Sequence, residues 1–322
     1  MYKKSNINLK DIAYALDVSV NSVSRALRDC SDISETLKDQ VRSKALELGY
    51  TSTKYDLKKG KAYSVALIFN NLRNQYFIVL ADKIVKALAK EGFDFFILPI
   101  EEESVKVTEE VIKKCINKKV DAIISFNEVN KKASQLAKLN SLPILLLGRI
   151  PKDDYIDAIF TNDFEGGKLV AEYLIKEGCK KICYIYKSSS EASLRRQEGF
   201  LTMLELKNFS NFILIDEKEL GKKALSIFDE GCDGIFAYND VTILDFINVV
   251  NKNHQGHLLE KVKLVGFDND LKRLHYNVKL ASIDYNYDLI ADLSIQIIKE
   301  RIFKKQKGTA KRILMDVNLV VE

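Results

Sequence analysis

The sequence predicts an all-α helix-turn-helix headpiece followed by an α/β core of two subdomains with parallel sheets. Two short helical patterns joined by a tight turn lie near the start of the chain, and from residue 62 onward short apolar runs alternate with amphipathic helical patterns. Such an alternation indicates parallel sheets covered by helices. A length of 322 residues allows two or three domains. We therefore expect a headpiece over residues 1–50, a connecting segment over 51–61 and a core over 62–322.

The headpiece begins with two capped helices. Asn8 caps the first pattern, over residues 8–18, and Asp11 favours its positive end. The second pattern, over residues 19–28, begins at the hydroxyl cap Ser19. Two short helices joined by a turn of about three or four residues are typical of a helix-turn-helix, whose second helix enters the DNA major groove. The residues expected to face inward are Ile12, Ala15, Leu16, Val23, Ala26 and Leu27.

A third helix is predicted over residues 34–48, with Ile33 before its cap and Gly49 at its stop. Its apolar stripe consists of Leu37, Val41, Ala45 and Leu48.

The second helix carries outward side chains that match the edges of base pairs. Val20 suits contact with a thymine methyl group, Asn21 suits pairing with adenine, and Arg25 suits bidentate pairing with guanine. Ser24 lies on the same outward side. Taken singly, each of these side chains could merely solvate a helix. Together with the two caps and the turn, they favour DNA recognition.

The charge distribution agrees with a polyanionic partner. Residues 1–61 hold twelve Lys or Arg and eight Asp or Glu, so an excess of four positive charges lies in the first fifth of a chain whose net charge is +5. A basic end of this kind suits double-stranded DNA, although a run of charge is more often a solvated face.

Four ordered motifs mark the headpiece: Leu9-Lys-Asp-Ile-Ala13, Val18-Ser19, Ser22-Val-Ser-Arg-Ala-Leu27 and Val41…Ala45-x-x-Leu-Gly-Tyr50. They resemble the lactose-repressor/galactose-repressor (LacI/GalR) family of bacterial transcription factors. The resemblance implies that Val20, Asn21 and Arg25 occupy base-reading positions and that Tyr50 closes the headpiece.

The segment after Tyr50 departs from that family. The family continues Tyr-x-Pro-Asn-x-x-Ala-Arg-x-Leu, a hinge helix that wedges leucines into the minor groove. Residues 51–60 here read Thr-Ser-Thr-Lys-Tyr-Asp-Leu-Lys-Lys-Gly, without the Pro, Asn or Ala-Arg, and form a shortened hinge. Leu57 is the residue expected to act as the wedge.

The core pattern is long enough for two α/β subdomains. We expect subdomain 1 over about residues 62–158 and 287–322, and subdomain 2 over about 159–286. Residues 157–162 and 283–287 carry the chain between them, and a final helix over 289–304 and strand over 312–320 rejoin subdomain 1. The apolar runs expected as strands are 64–69, 95–98, 122–125, 144–147, 182–186, 212–215, 234–237 and 263–266.

Ligands of open α/β folds bind beyond the carboxyl ends of strands. Polar residues follow several of the predicted strands, namely Asn70, Arg149, Asn239, Asp240 and Asp268.

The core motifs also resemble the LacI/GalR family, whose core has a periplasmic-binding-protein-like fold. The segments are Asn74-x-Tyr-Phe77, Asn162-Asp163, Arg196-x-x-Gly-Phe200, Asn239-Asp240 and Val265-Gly-Phe-Asp268. The resemblance implies that Arg196, Asn239 and Asp268 hydrogen-bond a small effector and that Tyr76 and Phe77 supply an apolar wall. Arg and Asp can each bind adjacent hydroxyls, which suits a sugar or polyol. The alternatives are that Tyr76 and Phe77 belong to the core, that Asn239 caps a helix and that Asp268 ends a strand.

Several classes of function are disfavoured. The sequence has neither G-x-G-x-x-G nor G-x-x-x-x-G-K-[ST], and no nucleophile with an identifiable base, so we expect no enzyme activity and no cofactor. The cysteines are odd in number and scattered, and His254 and His257 have no companion ligands at metal spacing, so neither a disulfide framework nor a metal site is expected. The sequence contains no run of about 18 apolar residues, so no membrane span is predicted. The start of the chain lacks the apolar core of a secretion signal, and we therefore predict a cytoplasmic protein.

These observations predict a sequence-specific DNA-binding transcriptional regulator, a repressor, whose operator binding is controlled by a small effector such as a sugar. The resemblance implies a homodimer on a near-palindromic operator. The alternative is a two-lobed sugar-binding protein without specific DNA binding, against which the helix-turn-helix and the missing secretion signal argue.

Overall fold

The structure is a computed structural model that describes residues 7–28, 30, 32–48, 50, 63–69, 75–100, 106–273, 275, 279–303 and 309–321. These residues fall into two compact units, one formed by those up to Tyr63 together with Gly92–Asp94, the other by the remainder. The predicted hinge 51–61, with Leu57, and the post-strand residue Asn70 lie outside the described residues. The hinge boundaries therefore stay a prediction.

The first unit contains three helices, α1 (Leu9–Leu16), α2 (Val20–Leu27) and α3 (Glu35–Glu47). The predicted caps are present. Asn8 Oδ1 accepts from the Lys10 amide at 2.8 Å, and the Asn8 amide donates to Asp11 Oδ2 at 2.7 Å. Ser19 Oγ accepts from the Ser22 amide at 2.9 Å. These bonds satisfy amide groups that a helix start leaves without intrahelical partners.

A small apolar core joins the three helices. The prediction that Ala15 faces inward was wrong, because Ala15 is exposed and Ala13 is buried. The inward stripe of α1 runs through positions 9, 12, 13 and 16, one of two registers that the same apolar residues permit at helical spacing. The fully buried members are Ile12, Ala13, Val23, Ala26, Leu27, Val41 and Ala45.

The second unit alternates strands and helices. Its strands are β1 (Ser64–Phe69), β2 (Asp94–Pro99, whose first residue belongs to the first unit), β3 (Lys106–Val107), β4 (Ala122–Ser125), β5 (Glu128–Val129), β6 (Ile144–Leu147), β7 (Asp157–Thr161), β8 (Ile182–Tyr186), β9 (Phe212–Asp216), β10 (Gly234–Ala237), β11 (Lys263–Phe267), β12 (Ala281–Asp284), β13 (Arg312–Met315) and β14 (Asn318–Val320).

Its helices lie between these strands. They are α4 (Gln75–Lys90), α5 (Glu109–Asn117), α6 (Lys131–Leu139), α7 (Asp163–Lys176), α8 (Glu191–Leu206), α9 (Leu220–Lys223), α10 (Ser226–Asp229), α11 (Asp240–Lys252), α12 (Asp270–Arg273) and α13 (Tyr287–Phe303), with short 3₁₀ turns at Glu217–Glu219 and Gly256–Lys261.

Two six-stranded sheets organise the core, as the alternation predicted. The first has the order β13-β7-β6-β4-β1-β2 and the second the order β14-β12-β11-β10-β8-β9. From β13 to β1, and from β12 to β9, neighbouring strands run parallel. The second sheet ends in an antiparallel pair, β12 with β14. A further parallel pair joins β3 and β5.

The end of the chain differs from the expected single strand over 312–320. It forms two strands, of which β13 extends the first sheet and β14 joins the second. Residues 316 and 317 separate them. The chain therefore passes between the sheets at three places, after β7, after β12 and after β13. The sequence pattern did not predict the third crossing. Residues 312–320 resemble one continuous strand, and nothing in these nine residues indicates where the chain changes sheet.

Two glycines let helices α7 and α8 approach closely. A Cβ added at Gly199 would lie 1.8 Å from the carbonyl oxygen of Phe164, and one at Gly167 would lie 2.0 Å from the carbonyl oxygen of Arg196. Any side chain at these positions would separate the helix backbones. The contact places Arg196 of α8 beside the first turn of α7.

Candidate functional site

Helix α2 presents the predicted base-reading residues on one side of the first unit. Val20 is 40% exposed and Asn21 is exposed, both in the first turn of the helix. Ser24 and Arg25 follow one turn later and are half-buried. Their partners Val23, Ala26 and Leu27 point into the apolar core. The geometry thus brings four of the five predicted DNA-binding residues to one short helix, while Leu57 lies outside the described residues.

Arg25 is held by an acidic residue that the sequence reasoning did not consider. Its guanidinium forms an ion pair with Asp32, beyond the end of α2. The hydrogen bond that Arg25 donates to Asp32 raises the pKa of Arg25 and lowers the pKa of Asp32. The Nε atom of Arg25 is buried without a hydrogen-bond partner. Part of the Arg25 fork is therefore engaged by Asp32, and bidentate pairing through Nη2 would require that atom to leave the carboxylate.

The second unit contains a cavity of about 290 Å³ at the carboxyl ends of strands from both sheets. Its wall includes residues that follow β6, β7, β10 and β11, together with the first turns of α4, α7 and α8. All five predicted effector-binding residues line it, namely Tyr76, Phe77, Arg196, Asn239 and Asp268. This is the place at which open α/β folds bind ligands.

Arg196 lies at the centre of a buried polar network. Its Nε donates to Asp163 Oδ1 at 2.9 Å and its Nη2 to Asp268 Oδ1 at 3.4 Å, while its Nη1 donates to the carbonyl of Tyr238. The guanidinium carbon lies 3.4 Å from the centre of the Phe267 ring. Burial opposes the charge, but the attraction of Asp163 and Asp268 outweighs it and raises the pKa of Arg196. Arg196 therefore remains a cation with its planar fork fixed in place.

Asp268 follows β11 with a backbone φ of +95°, in the left-handed region. Its carboxylate accepts from the hydroxyl of Tyr285 at 3.0 Å, on the segment after β12. Burial raises its pKa, against the opposing effect of Arg196. Asp268 thus ends a strand, as the alternative interpretation held, and also lines the cavity.

Asn239 likewise satisfies both interpretations. Its Oδ1 accepts from the Thr242 amide at 2.9 Å and caps α11. The side chain lines the cavity as well, so that its Nδ2 group is the donor it can offer to a ligand.

Aromatic rings form the opposite part of the wall. The Tyr76 and Phe77 rings are half-buried and contact Phe126, with the Phe77 and Phe126 centroids 5.2 Å apart. Tyr76 also meets Tyr285, with the ring centroids 6.3 Å apart. Its hydroxyl lies over Gly148, where an added Cβ would be 2.9 Å away and the backbone φ is +70°. A residue with a side chain at 148 would thus displace Tyr76.

Sequence reasoning missed several residues of the cavity. The sequence pattern placed Asp163 only at the start of subdomain 2. Asp163 is nevertheless an acidic residue close to the end of a strand, which is the signal that pointed to Asp268. Tyr285 and Tyr238 gave no signal, because their contacts join residues far apart in the chain. Arg149 was noted as a polar residue after β6 and lines the wall.

Beside the cavity, two further carboxyl groups are buried among hydroxyl groups. Asp240 accepts from Ser282 Oγ at 2.7 Å, and Asp270 accepts from the Tyr287 hydroxyl at 2.8 Å. Burial raises the pKa of Asp240 to about 7 and that of Asp270 to about 8. Neither residue lines the cavity.

The chain matches three sequence models of known families. Residues 8–52 match the bacterial regulatory proteins of the lacI family. Residues 62–212 match the periplasmic binding proteins and sugar binding domain of the LacI family, and residues 171–321 match a periplasmic binding protein-like domain. The chain belongs to the LacI family. The family resemblance and the fold class predicted from the sequence are thereby confirmed.

Named relatives extend over almost the whole chain. The transcriptional repressor PurR of Mannheimia succiniciproducens is 22% identical over 96% of this chain and 95% of its own length. The sucrose operon repressor of Lactococcus lactis subsp. lactis is 25% identical over 92% of this chain and 93% of its own length. Both are named as repressors, which supports the prediction of a regulator rather than an enzyme.

Solved structures share the fold. The lac repressor dimer bound to operator and the anti-inducer ONPF superposes with a TM-score of 0.78 at 17% identity, over 98% of both chains. A LacI-family transcriptional regulator from Enterococcus faecium with bound ribose gives a TM-score of 0.70 at 21% identity, over 80% of this chain and 96% of that one.

Two features are absent from the part of the chain that the structure describes. No group of His, Cys, Asp or Glu in that part of the chain is arranged to hold a metal ion. No described helix is long and apolar enough to cross a membrane.

Proposed function

We propose that this LacI-family protein is a transcriptional repressor that binds a DNA operator through residues 1–50 and responds to a small polyhydroxylated effector bound in the core cavity. We take the core as residues 62–322, with subdomain 1 over about 62–158 and 287–322 and subdomain 2 over about 159–286, while β14 pairs in the second sheet. The observation that carries the proposal is the presence of an exposed reading helix and a ligand cavity in one chain of this family.

The DNA-binding part of the proposal rests on α2. Val20 and Asn21 are exposed in its first turn, the part of a recognition helix that contacts base edges. Asn21 offers both a donor and an acceptor to adenine, and Arg25 offers a fork to guanine. The opposite side of α2 is buried, so these residues cannot serve the headpiece core.

The effector part rests on the chemistry of the cavity. Asp268 and Asn239 can accept from and donate to hydroxyl groups, and the aromatic rings of Tyr76 and Phe77 can cover the apolar face of a sugar ring. Arg196 holds the carboxylate of Asp268 in position. Among the relatives, one structure contains ribose and one repressor is named for the sucrose operon. A sugar or polyol is the effector class that these observations favour.

Control follows from the position of the cavity. Its wall includes residues from both sheets, so a ligand that contacts both walls favours one arrangement of the two subdomains. The free energy of DNA binding then changes according to the difference between the two arrangements in their free energies of ligand binding. We propose that the protein acts in the cytoplasm as a homodimer, because two headpieces are needed to bind the two half-sites of a near-palindromic operator.

Selection of random duplex DNA with the full-length protein tests this proposal. We expect enrichment of a two-fold symmetric consensus, in which the half-sites are related by the dimer axis. Val20→Ala and Asn21→Ala variants provide the control, since each should alter the preference at one position of a half-site. Recovery of no consensus would reject the repressor function and leave the alternative of a sugar-binding protein without specific DNA binding.

A further inference from the structure

The two walls of the core cavity differ in charge. The described lining residues that belong to the first sheet and its connections include one charged side chain, Arg149. The lining residues of the second subdomain carry three carboxyl groups and two guanidinium groups, those of Asp163, Glu191, Asp268, Arg195 and Arg196.

The second wall carries one more carboxyl group than guanidinium groups, and both of its guanidinium groups are paired. Arg196 bonds Asp163 and Asp268, as described above. Arg195 Nε lies 3.8 Å from Glu191 Oε1, one turn earlier on α8. The second wall therefore offers a ligand polar atoms but no uncompensated cation.

Arg149 has a different environment. It follows β6, is half-buried, and donates from Nε to the carbonyl of Phe126 at 3.2 Å. This bond fixes the plane of the guanidinium at the cavity wall. Arg149 lines the cavity, and no carboxylate of the described residues forms an ion pair with it. A partly desolvated guanidinium gains most from a ligand oxygen that carries negative charge.

The start of helix α4 adds to the positive character of the same wall. Tyr76 and Phe77, in its first turn, line the cavity, and that turn contains no acidic residue. The partial positive charge of this helix start is therefore not offset within the helix. By contrast, α7 and α8 carry Asp163 and Glu191 in their first turns.

We propose that the effector carries an anionic group, a phosphate ester or a carboxylate, which Arg149 binds, while its hydroxyl groups face Asp268 and Asn239. This inference rests on the proposed function of the cavity and specifies the chemical class of its ligand. A neutral sugar would supply no counter-charge to Arg149, whereas a sugar phosphate or sugar acid would offer an anionic group to Arg149 and hydroxyl groups to the other wall.

The test uses the full-length protein and matched ligand series: ribose with ribose 5-phosphate, glucose with glucose 6-phosphate and gluconate, and sucrose with sucrose 6-phosphate. Thermal stabilisation identifies the members that bind, and calorimetric titration gives their Kd values. The variants are Arg149→Met, which keeps the apolar stem, and Arg149→Lys, which keeps the charge but loses the fork. The control is Arg312→Met, which removes an equal charge at an exposed residue that does not line the cavity.

We expect an anionic member to bind more tightly than its neutral counterpart. Arg149→Met should raise its Kd by about 10- to 100-fold, as the loss of a charge-assisted hydrogen bond predicts. Arg149→Lys should raise it less, and Arg312→Met should change it by less than about fivefold because exposed pairs contribute little. Comparing the Kd values of the sugar phosphates with that of gluconate shows whether the anionic group is a phosphate or a carboxylate. The melting temperature of each unliganded variant shows whether it is folded. If Arg149→Met does not fold, the Kd of the Arg149→Lys variant tests the inference instead.

Two results would overturn the inference in different ways. If a neutral sugar binds at least as tightly as its anionic counterpart, and equally to the wild type and the Arg149 variants, the anionic group is rejected and the effector function stands. If no member of the series stabilises the protein, both the inference and the proposed sugar-like effector are rejected.

Discussion

The Nε atom of Arg196 lies 2.9 Å from Oδ1 of Asp163, so a buried ion pair joins helices α7 and α8 at the wall of the cavity. The same guanidinium reaches Asp268, on the segment after β11. Sequence resemblance implied a ligand-binding role for Arg196. The structure adds that Arg196 holds together three segments of the second subdomain.

Replacing Arg196 with alanine should therefore lower stability as well as ligand binding. The substitution leaves Asp163 and Asp268 buried without their partner, and breaking a buried pair in this way costs about 3–5 kcal/mol of the free energy of unfolding. Urea denaturation measures the loss. Arg195→Ala, on the exposed side of the same helix, should stay within about 0.5 kcal/mol of the parent. Equal stability of the two variants would contradict the structural role of the Arg196 network.

Replacing Asp32 with asparagine should tighten operator binding. Arg25 would then no longer be held by a carboxylate before it reaches DNA. Fluorescence anisotropy with the selected duplex measures the Kd. Asp17→Asn is the matched control, because Asp17 is an exposed acid of the same headpiece whose backbone φ of +52° suits asparagine. The Asp32 effect should exceed that of Asp17 and disappear in an Arg25→Ala background. An equal effect of both substitutions would assign the change to net charge alone.

Replacing Gly199 with alanine should destabilise the core. Alanine in an open helix is more favourable than glycine by up to about 1 kcal/mol. At position 199, however, the added Cβ would lie 1.8 Å from a backbone oxygen of α7, so we expect a loss of about 1–3 kcal/mol from the separation of the helices. Gly221→Ala, where a Cβ meets nothing within 4 Å, should be neutral or stabilising. Thermal melting of the two variants distinguishes them, and a stable Gly199→Ala protein would contradict the close helix contact.

Stability of the core should fall as the pH rises from 5 to 8. Burial raises the pKa of Asp240 from 3.8 to about 7, so the folded protein binds this proton more tightly than the unfolded chain. The stabilisation is present in full below pH 3.8 and is lost as the pH rises through about 7. Between pH 5 and pH 8, we expect this group to lower the free energy of unfolding by about 3 kcal/mol. Urea denaturation at pH 5 and pH 8 measures it. Asp240→Asn, which mimics the protonated carboxyl group, should reduce the slope and leave the part that Asp270 contributes. An unchanged slope in that variant would assign the effect elsewhere.

Local patterns predicted most of the fold. The bounds of Ala122–Ser125, Ile144–Leu147 and Gly234–Ala237 agree with the structure because each is a short, mostly apolar run whose residues are all buried. The caps at Asn8 and Ser19 were predictable for the same reason, since a capping bond spans about three residues.

The parts that pattern could not predict depend on contacts between distant residues. Asp163 and Arg196 are separated by 33 positions, and no local spacing in the sequence records their bond. The pairing of Arg25 with Asp32 crosses the end of a helix, and the division of residues 312–320 into two strands depends on which sheet edge is open. Among the five cavity residues, Asn239 and Asp268 also followed predicted strands, whereas Tyr76, Phe77 and Arg196 came from resemblance alone. The roles of all five toward a ligand stay predictions.

Operator binding measured with and without an effector tests the central claim most directly. The full-length protein is titrated with its selected duplex in the absence and in the presence of a saturating concentration of the sugar or sugar derivative that stabilises it most. If the effector controls operator binding, we expect the Kd for DNA to change by at least about fivefold. The Kd for the effector should change by the same factor when DNA is present. Identical DNA affinity in both conditions would mean that the cavity does not control the headpiece, and it would contradict the assignment of this protein as an effector-controlled repressor.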